Sequence, residues 1–427
     1  MAKLRVKNFG PIKDGFSEND GFMEITPVTV ICGNQATGKS TIAKLYSTFL
    51  WLEKALIRMD FDANSIDSSD FQDFCRNQGI EEFFTANTEI YFVGNAYKFS
   101  YWDGLFYVSN NEEKVINYHR PKIMYIPSER NLITVLENVD KLKNLPVMLS
   151  VLFDEYKIAM KTLAVNGYDL PVSNVKVKYD SEHYVTKVIT SDNASVSIKN
   201  ASSGIQSIVP LSLVSKFLSQ EVISDIYKNI QRLSSYERDQ IKDFIKKTYS
   251  DNKNFVDALL KELNMYFLTG KKIDSTDENI PMLKSLLCFY FNTCFINIVE
   301  EPEQNLYPES QGKVLYELLE CLNTNEHNQL IITTHSPYML SYLTQSAKAA
   351  ELLGKGVPSD RIEKIVPVKS AVASGRISIY ETKEDGSIAL LKPYEKLPSD
   401  ENLLNTALAD GNERFSKLLD LEVAFCK

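Results

Sequence analysis

The chain has 427 residues, with 47 Lys+Arg against 56 Asp+Glu and a formal net charge of −9. A hydrophobic fraction of 44% and a charged fraction of 24% suit a chain that buries a large core, which excludes a mainly disordered polypeptide. The acidic balance argues against a dedicated nucleic-acid coat, although a local basic groove stays compatible with it.

The first forty residues read as β structure. Residues 3–8 alternate in polarity, and 24–32 end as a short apolar strand. Gly33-Asn34-Gln35-Ala36-Thr37-Gly38-Lys39-Ser40-Thr41 follows, and an amphipathic helix is expected from about 39 to 57. Residues 60–85 read as helix or loop, with Phe71, Phe74, Phe83 and Phe84 as core. From 89 to 122 the Tyr, Phe, Val and Ile content, with turn signals at Asp103-Gly104 and Asn110-Asn111, predicts antiparallel strands. A further strand is expected over 122–127, helix over 131–165, and hairpins over 174–199. Residues 205–292 read as mostly helical, with a solvated lysine face at Lys242, Lys246 and Lys247.

A strongly apolar strand at 294–299 ends in Glu300-Glu301-Pro302-Glu303. A helix over 309–322 leads to a strand at 329–333 and then Thr334-His335-Ser336-Pro337. Beyond 340 one helix, strands near 365–368 and 377–382, a turn at Asp385-Gly386 and a helical tail complete the reading. The six cysteines (Cys32, Cys75, Cys288, Cys294, Cys321, Cys426) show no Cys-x-x-Cys pair, so neither a zinc ribbon nor a redox couple is indicated. Neither a signal-peptide core nor a run of roughly 18 uncharged apolar residues is present, so a cytoplasmic protein without membrane contact is expected.

Four segments carry chemistry. Gly33–Ser40 fits G-x-x-x-x-G-K-[ST] between a strand and a helix. Such glycines let several backbone N–H groups face one phosphate chain, and the helix N-terminus adds a positive dipole end. Lys39 would reach the β- and γ-phosphates of a nucleotide and the Ser40 hydroxyl would ligate Mg²⁺, with Thr41 as a secondary ligand. Glu300 and Glu301 stand where a sheet strand ends: the first is expected to hold Mg²⁺ and the second to polarise the attacking water, against the plainer reading of a solvated turn. His335, after the next apolar strand, would sense the γ-phosphate or hold that water. His119, His183 and His327 have no comparable context and read as structural or surface residues. Ser202-Ser203-Gly204-Ile205-Gln206 opens a helical region and by itself reads more often as a helix cap, gaining meaning only from its place in the order of the other segments.

The order of these segments resembles the ABC-type ATPases of the SMC, RecF and OLD-like branch, and Val6-Lys7-Asn8-Phe9-Gly10-Pro11-Ile12 is similar to that branch's first strand. The resemblance implies an α/β fold: a P-loop NTPase of ABC-ATPase head type with an antiparallel β lobe and a helical insertion. Residues 1–340 would form the head, with a β lobe over about 86–200 and a helical lobe over about 202–292. Residues 341–427 would be a C-terminal α/β extension completing it. It also implies ATP and Mg²⁺ as ligands, slow hydrolysis, and an ATP-sandwich dimer in which Ser203, Gly204 and Gln206 meet the nucleotide of the other copy. Three departures stand out: against the family's Leu-Ser-Gly-Gly-Gln, Ser202 stands in place of the leucine and Ile205 in place of the second glycine, and Glu300-Glu301 replaces Asp-Glu. No Gln-loop glutamine can be placed.

Ile126-Pro127-Ser128-Glu129-Arg130, together with the Glu-Glu-Pro-Glu-Gln-Asn-Leu-Tyr-Pro and Thr-Thr-His-Ser-Pro segments, resembles ATPases of bacterial anti-phage systems, and Arg130 becomes a further candidate site residue. That subgroup implies a higher ring such as a hexamer, a separate TOPRIM-type nuclease effector and a phage-encoded trigger protein. The alternative from another class is a RecF- or SMC-like DNA-repair ATPase, which the missing Lys/Arg stripe disfavours.

Overall fold

The computed structural model describes residues 1–58, 60–111, 118–136, 145–172, 174–183, 185–222, 235–248, 253–269, 291–395, 397–398 and 402–425. Parts of the helical expectations for 131–165 and 205–292, at 137–144, 223–234, 249–252 and 270–290, lie outside the described residues.

Strands β1 (Ala2–Lys7), β2 (Gly15–Phe16) and β3 (Met23–Ile25) precede β4 (Val28–Gly33), which runs into helix α1 (Lys39–Ile57). Helix α2 (Ser68–Arg76) starts in a capping box between Asp67 and Asp70 and leads to β5 (Glu89–Val93), β6 (Tyr97–Trp102) and β7 (Leu105–Asn110). Next come β8 (Pro121–Ile126), the short α3 (Leu132–Val135), α4 (Val147–Ala159), β9 (Tyr168–Asp169), β10 (Lys176–Asp180), β11 (Val185–Ile189) and β12 (Ser195–Ser197). Helices α5 (Ser203–Glu221), α6 (Ser235–Thr248) and α7 (Lys253–Thr269) follow. The last third holds β13 (Cys294–Glu300), α8 (Pro308–Leu322), β14 (Gln329–Thr334), α9 (Pro337–Gly354), α10 (Ser359–Glu363), β15 (Ile377–Thr382), β16 (Ser387–Leu390) and α11 (Leu403–Phe425). Among the described residues no helix is long and apolar enough to cross a membrane.

The core sheet has the order β2-β16-β15-β4-β14-β13-β8, and the five strands from β15 to β8 are parallel. Every residue of β4 and β13 is buried, as expected of parallel strands covered on both faces. Side chains alternate between two cores. Ile31, Ile296, Ile298 and Ile331 pack with Ile42, Leu45 and Phe49 of α1. Val30, Cys32, Val299 and Ile332 pack with the opposite layer, which includes Leu213 of α5, Leu315 of α8 and Leu340 of α9.

Two further sheets are antiparallel, with orders β3-β1-β5-β6-β7 and β12-β11-β10-β9. The expected single β lobe over 86–200 is therefore corrected. Its first strands join β1, its last strands form a separate sheet, and β8 between them belongs to the core. The reason is visible in β8: Met124, Tyr125 and Ile126 are all buried, which demands cover on both faces. The strand expected near 365–368 is also absent. Pro367 has no N–H for a ladder, Val368 donates its N–H to the Glu363 carboxylate at 2.7 Å, and residues 368–370 form a 3₁₀ turn. Phe71 is fully buried as expected, whereas Phe74, Phe83 and Phe84 are only partly buried against the same cluster.

Candidate nucleotide site

Parallel register brings five strand ends into one row. Thr382 sits opposite Gly33, Thr334 opposite Cys32, Glu300 opposite Thr333, and Val299 opposite Ile126. This is the carboxyl edge, where open α/β sheets bind ligands.

The loop from Gly33 to Lys39 leaves β4 at the middle of that row. Gly33 has φ 143° and Gly38 has φ 99°, regions that disfavour a side chain. A Cβ on Gly33 would stand 2.3 Å from the Thr382 carbonyl oxygen, so the backbone runs where only glycine fits. Thr37 donates to the Asn34 carbonyl at 2.8 Å and shares a hydrogen bond of 2.6 Å with the Thr382 hydroxyl. Asn34, Gln35 and Ala36 are exposed at the tip. Lys39 is buried, and its Nζ donates to the Asn34 carbonyl at 2.5 Å. Burial pushes its pKa down, and the carboxylates of Glu301, Glu303 and Glu300 pull it back up. Ser40 is half-buried at the helix start, and Thr41 is buried within α1.

Glu300 is 5% exposed, and both carboxylate oxygens are held. Tyr125 donates its hydroxyl to Oε1 at 2.6 Å, and the Ser128 N–H reaches Oε2 at 3.2 Å. Glu301 turns the chain at φ 43°, and its N–H bonds the Thr333 carbonyl at 2.9 Å. Its Oε1 lies 3.3 Å from His335 Nε2. That contact is the main reason the Glu301 pKa falls below the ordinary 4.5. Glu303 turns back to β14: Oε1 accepts from the Thr334 hydroxyl at 2.7 Å and the His335 N–H at 2.8 Å. Its Oε2 is buried without a partner, and burial pushes its pKa up.

Sequence reading missed Tyr125, Ser128, Glu303 and Thr382. Glu303 stands within Glu-Glu-Pro-Glu, but spacing does not reveal that it folds back onto the His335 turn. Arg130, expected as a site residue, is 0% exposed and reaches no ligand-facing surface. Its guanidinium donates to four main-chain carbonyls, those of Pro127, Glu300, Glu301 and Ser207. Burial pushes its pKa down to about 10.

Ser202 and Ser203 are exposed at the start of α5, and Ser202 makes no capping bond with its side chain. The plain cap reading therefore lacks its hydrogen bond. Gln206 is turned inward, donating to the carbonyls of Ile198 at 3.2 Å and Lys199 at 2.9 Å. That corrects its expected ligand-facing role: the amide braces the turn before α5. A cleft of about 660 Å³ opens beside the phosphate-type loop, lined among others by Gly33, Asn34, Gln35, His335, Thr382 and Leu403. Of the remaining histidines, His119 stacks on His327 at 3.6 Å and His183 pairs with Asp180.

Residues 291–340 match the family model described as "AAA ATPase domain" (AAA_15), a stretch that contains Glu300, Glu301 and His335 but not the Gly33 loop. No curated protein is significantly similar in sequence. Among solved structures, the SMC head domain from Thermotoga maritima aligns at 9% identity and TM-score 0.36, over 92% of this chain and 98% of that one. A nucleotide-free ATP-binding cassette from an ABC transporter aligns at 10% identity and TM-score 0.26, over 93% of each chain. An Smc head bound to the C-terminal domain of ScpA, derived from Pyrococcus furiosus, aligns at 10% identity and TM-score 0.26, over 93% of this chain and 97% of that one. At these scores the overlaps add nothing to the strand order. That order is an α/β fold in which the strand–glycine-loop–helix unit of P-loop nucleotide-binding proteins, β4 to α1, sits beside the acidic end of β13, with two separate antiparallel sheets.

Proposed function

We propose that the chain binds and hydrolyses ATP as an ABC-type head and works as a dimer. In it, Ser203 and Gly204 of one copy meet the triphosphate held by Gly33–Thr41 of the other. The observation that carries this reading is the pairing of Glu301 with His335 at 3.3 Å on the same sheet edge as the Lys39 loop.

The chemistry follows from the residues present. The loop amides and the start of α1 offer donors to a phosphate chain, and Lys39 neutralises charge on it. Lys39 now spends its ammonium on the Asn34 carbonyl, a bond that a phosphate oxygen would outcompete. Glu301, kept ionised by His335, is the group to take a proton from the attacking water. Glu300 is fixed by Tyr125 and Ser128.

The donor set fits Mg²⁺. Ser40 at the start of α1 and Glu300 at the end of β13 would supply the few oxygen ligands that Mg²⁺ takes when a nucleotide provides the rest. Bound there, the ion would neutralise charge on the phosphates.

The Tyr-Ile-Pro-Ser-Glu-Arg, Glu-Glu-Pro-Glu-Gln-Asn-Leu-Tyr-Pro and Thr-Thr-His-Ser-Pro segments support a finer reading: an ATPase of a bacterial anti-phage defence system, most similar to that of PARIS (AriA) and next to that of Septu (PtuA). In this reading the assembled ATPase is cytoplasmic and holds a separate TOPRIM-type nuclease, releasing it when a phage protein is sensed.

Phosphate release and nucleotide binding by Lys39→Ala and Glu301→Gln test the site. Lys39→Ala should lose ATP binding. Glu301→Gln should keep ATP yet lose at least about a hundredfold in turnover, the usual contribution of a positioned base. Wild-type phosphate release in both variants would discard the assignment. For the finer reading, copurification with the product of an adjacent gene is expected; tight duplex-DNA binding by a monomer would favour a DNA-repair ATPase instead.

A further inference from the structure

We propose that Arg130 is a positioning residue that ties the Ser203–Gly204 helix of each protomer to that protomer's own Glu300–Glu301 turn, so that contact with a neighbour's nucleotide is felt at the hydrolytic pair. The inference rests on the ATPase reading above and assigns Arg130 a regulatory role within it.

Arg130 is a fully buried cation that donates its hydrogen bonds to main-chain carbonyls. Nε donates to the Ser207 carbonyl at 3.2 Å, Nη1 to those of Pro127 at 3.2 Å and Glu300 at 2.7 Å, and Nη2 to that of Glu301 at 2.7 Å. These acceptors come from three separate segments: the end of β8, the end of β13 and the beginning of α5. Burying a guanidinium is costly, and a lysine could not reproduce its planar fork. Its bonds therefore gather main-chain carbonyls of all three segments onto one side chain, beside the pairwise ties of Ser128 to Glu300 and of Asn297 to Ser215.

Two local features make the junction responsive. Glu301 occupies φ 43°, a conformation that costs a non-glycine residue energy and persists only when its surroundings hold it. Arg130 holds its carbonyl, and the Thr333 carbonyl takes its N–H. On the helix side, Pro210 lies inside α5 and withholds the N–H that would bond the Gln206 carbonyl, which loosens the first turns from the rest of the helix. Those first turns also press on the acidic loop directly: a Cβ on Gly204 would stand 2.7 Å from the Asn305 carbonyl oxygen. A shift of the Ser203 end thus displaces the Ser207 carbonyl, and Arg130 conveys it to the carbonyls of Glu300 and Glu301.

The test compares wild type with Arg130→Lys and Ser203→Arg, using thermal melting, binding of a fluorescent ATP analogue, ATP turnover and amide hydrogen exchange. Arg130→Lys should bind MgATP within about threefold of wild type. Its kcat should fall tenfold or more, and its Hill coefficient should drop from above one to one. A kcat and Hill coefficient equal to wild type would overturn the proposal. Should Arg130→Lys melt instead, Ser203→Arg decides, because it leaves Arg130 in place. In wild type, ATP should protect the amides of 303–306 from exchange; in Ser203→Arg, ATP should bind without doing so. Equal protection in both would overturn the proposal. A wild-type protein that neither binds nor turns over ATP would fail the ATPase reading itself, an outcome distinct from an active wild type matched by Arg130→Lys.

Discussion

At the residue scale the site sets two carboxyl groups apart. Glu301 is pulled below the ordinary carboxylate range chiefly by its hydrogen bond to His335, while Glu303 is pushed above it by burial. Opposite shifts on neighbouring groups separate their duties: on the proposed reading Glu301 is the base, while Glu303 braces the His335 turn. A pH dependence follows. A lowered pKa means that Glu301 stays ionised as the pH falls through 4.5 and takes a proton only below it. The acid limb of kcat/KM should therefore lie below 4.5. In His335→Ala the largest cause of the shift is gone, so the limb should move up towards 4.5, on top of a lower rate. A pH–rate profile of the two proteins checks this; an unmoved limb would show that His335 does not set the charge state of Glu301.

At the element scale, β4 and the loop behind it depend on one glycine. Gly33 combines φ 143° with a Thr382 carbonyl oxygen 2.3 Å from any added Cβ. Since β15 pairs with β4 at this point, an alanine would have to push two strands apart or unwind the loop start. Gly33→Ala should cost about 1–3 kcal/mol in stability from the backbone conformation alone. It should also lose nucleotide affinity, read by chemical denaturation and by binding of a labelled nucleotide. A variant with unchanged midpoint and affinity would mean that the loop tolerates a different path. The lysine face on α6 behaves as a solvated surface: Lys242 pairs with Asp239 and Lys246 with Asp243, one turn back on the same helix. Exposed pairs of that kind contribute little to stability.

At the scale of the whole molecule, Ser203 is exposed while the rest of α5 is largely buried against β13, α4 and α8. A neighbour can reach the start of that helix. On the dimer reading, Glu301→Gln with ATP should shift from monomer to twice that mass in light scattering. Adding Ser203→Arg to it should leave a monomer that still binds ATP. A double variant that dimerises as before would place the contact elsewhere. The chain's last third closes the molecule: β15 and β16 extend the core sheet beyond β4, and the start of α11 walls the cleft beside the Gly33 loop.

Local chemistry made much of this legible from residues alone. The glycine loop between strand and helix, the acidic end of an apolar strand and the histidine after the next strand are contiguous signals, and each lies on the element expected for it. The start of α1 at Lys39 and the hairpin at Asp103-Gly104 are of the same kind, since turn and helix preferences act over a few residues. Tertiary structure decided the rest. That β8 pairs beside β13, that Glu303 folds back to β14, that Gln206 faces inward and that Arg130 grips carbonyls from three segments are outcomes of strand order and register. Those depend on which buried faces can be covered together, and burial is a property of the assembled chain.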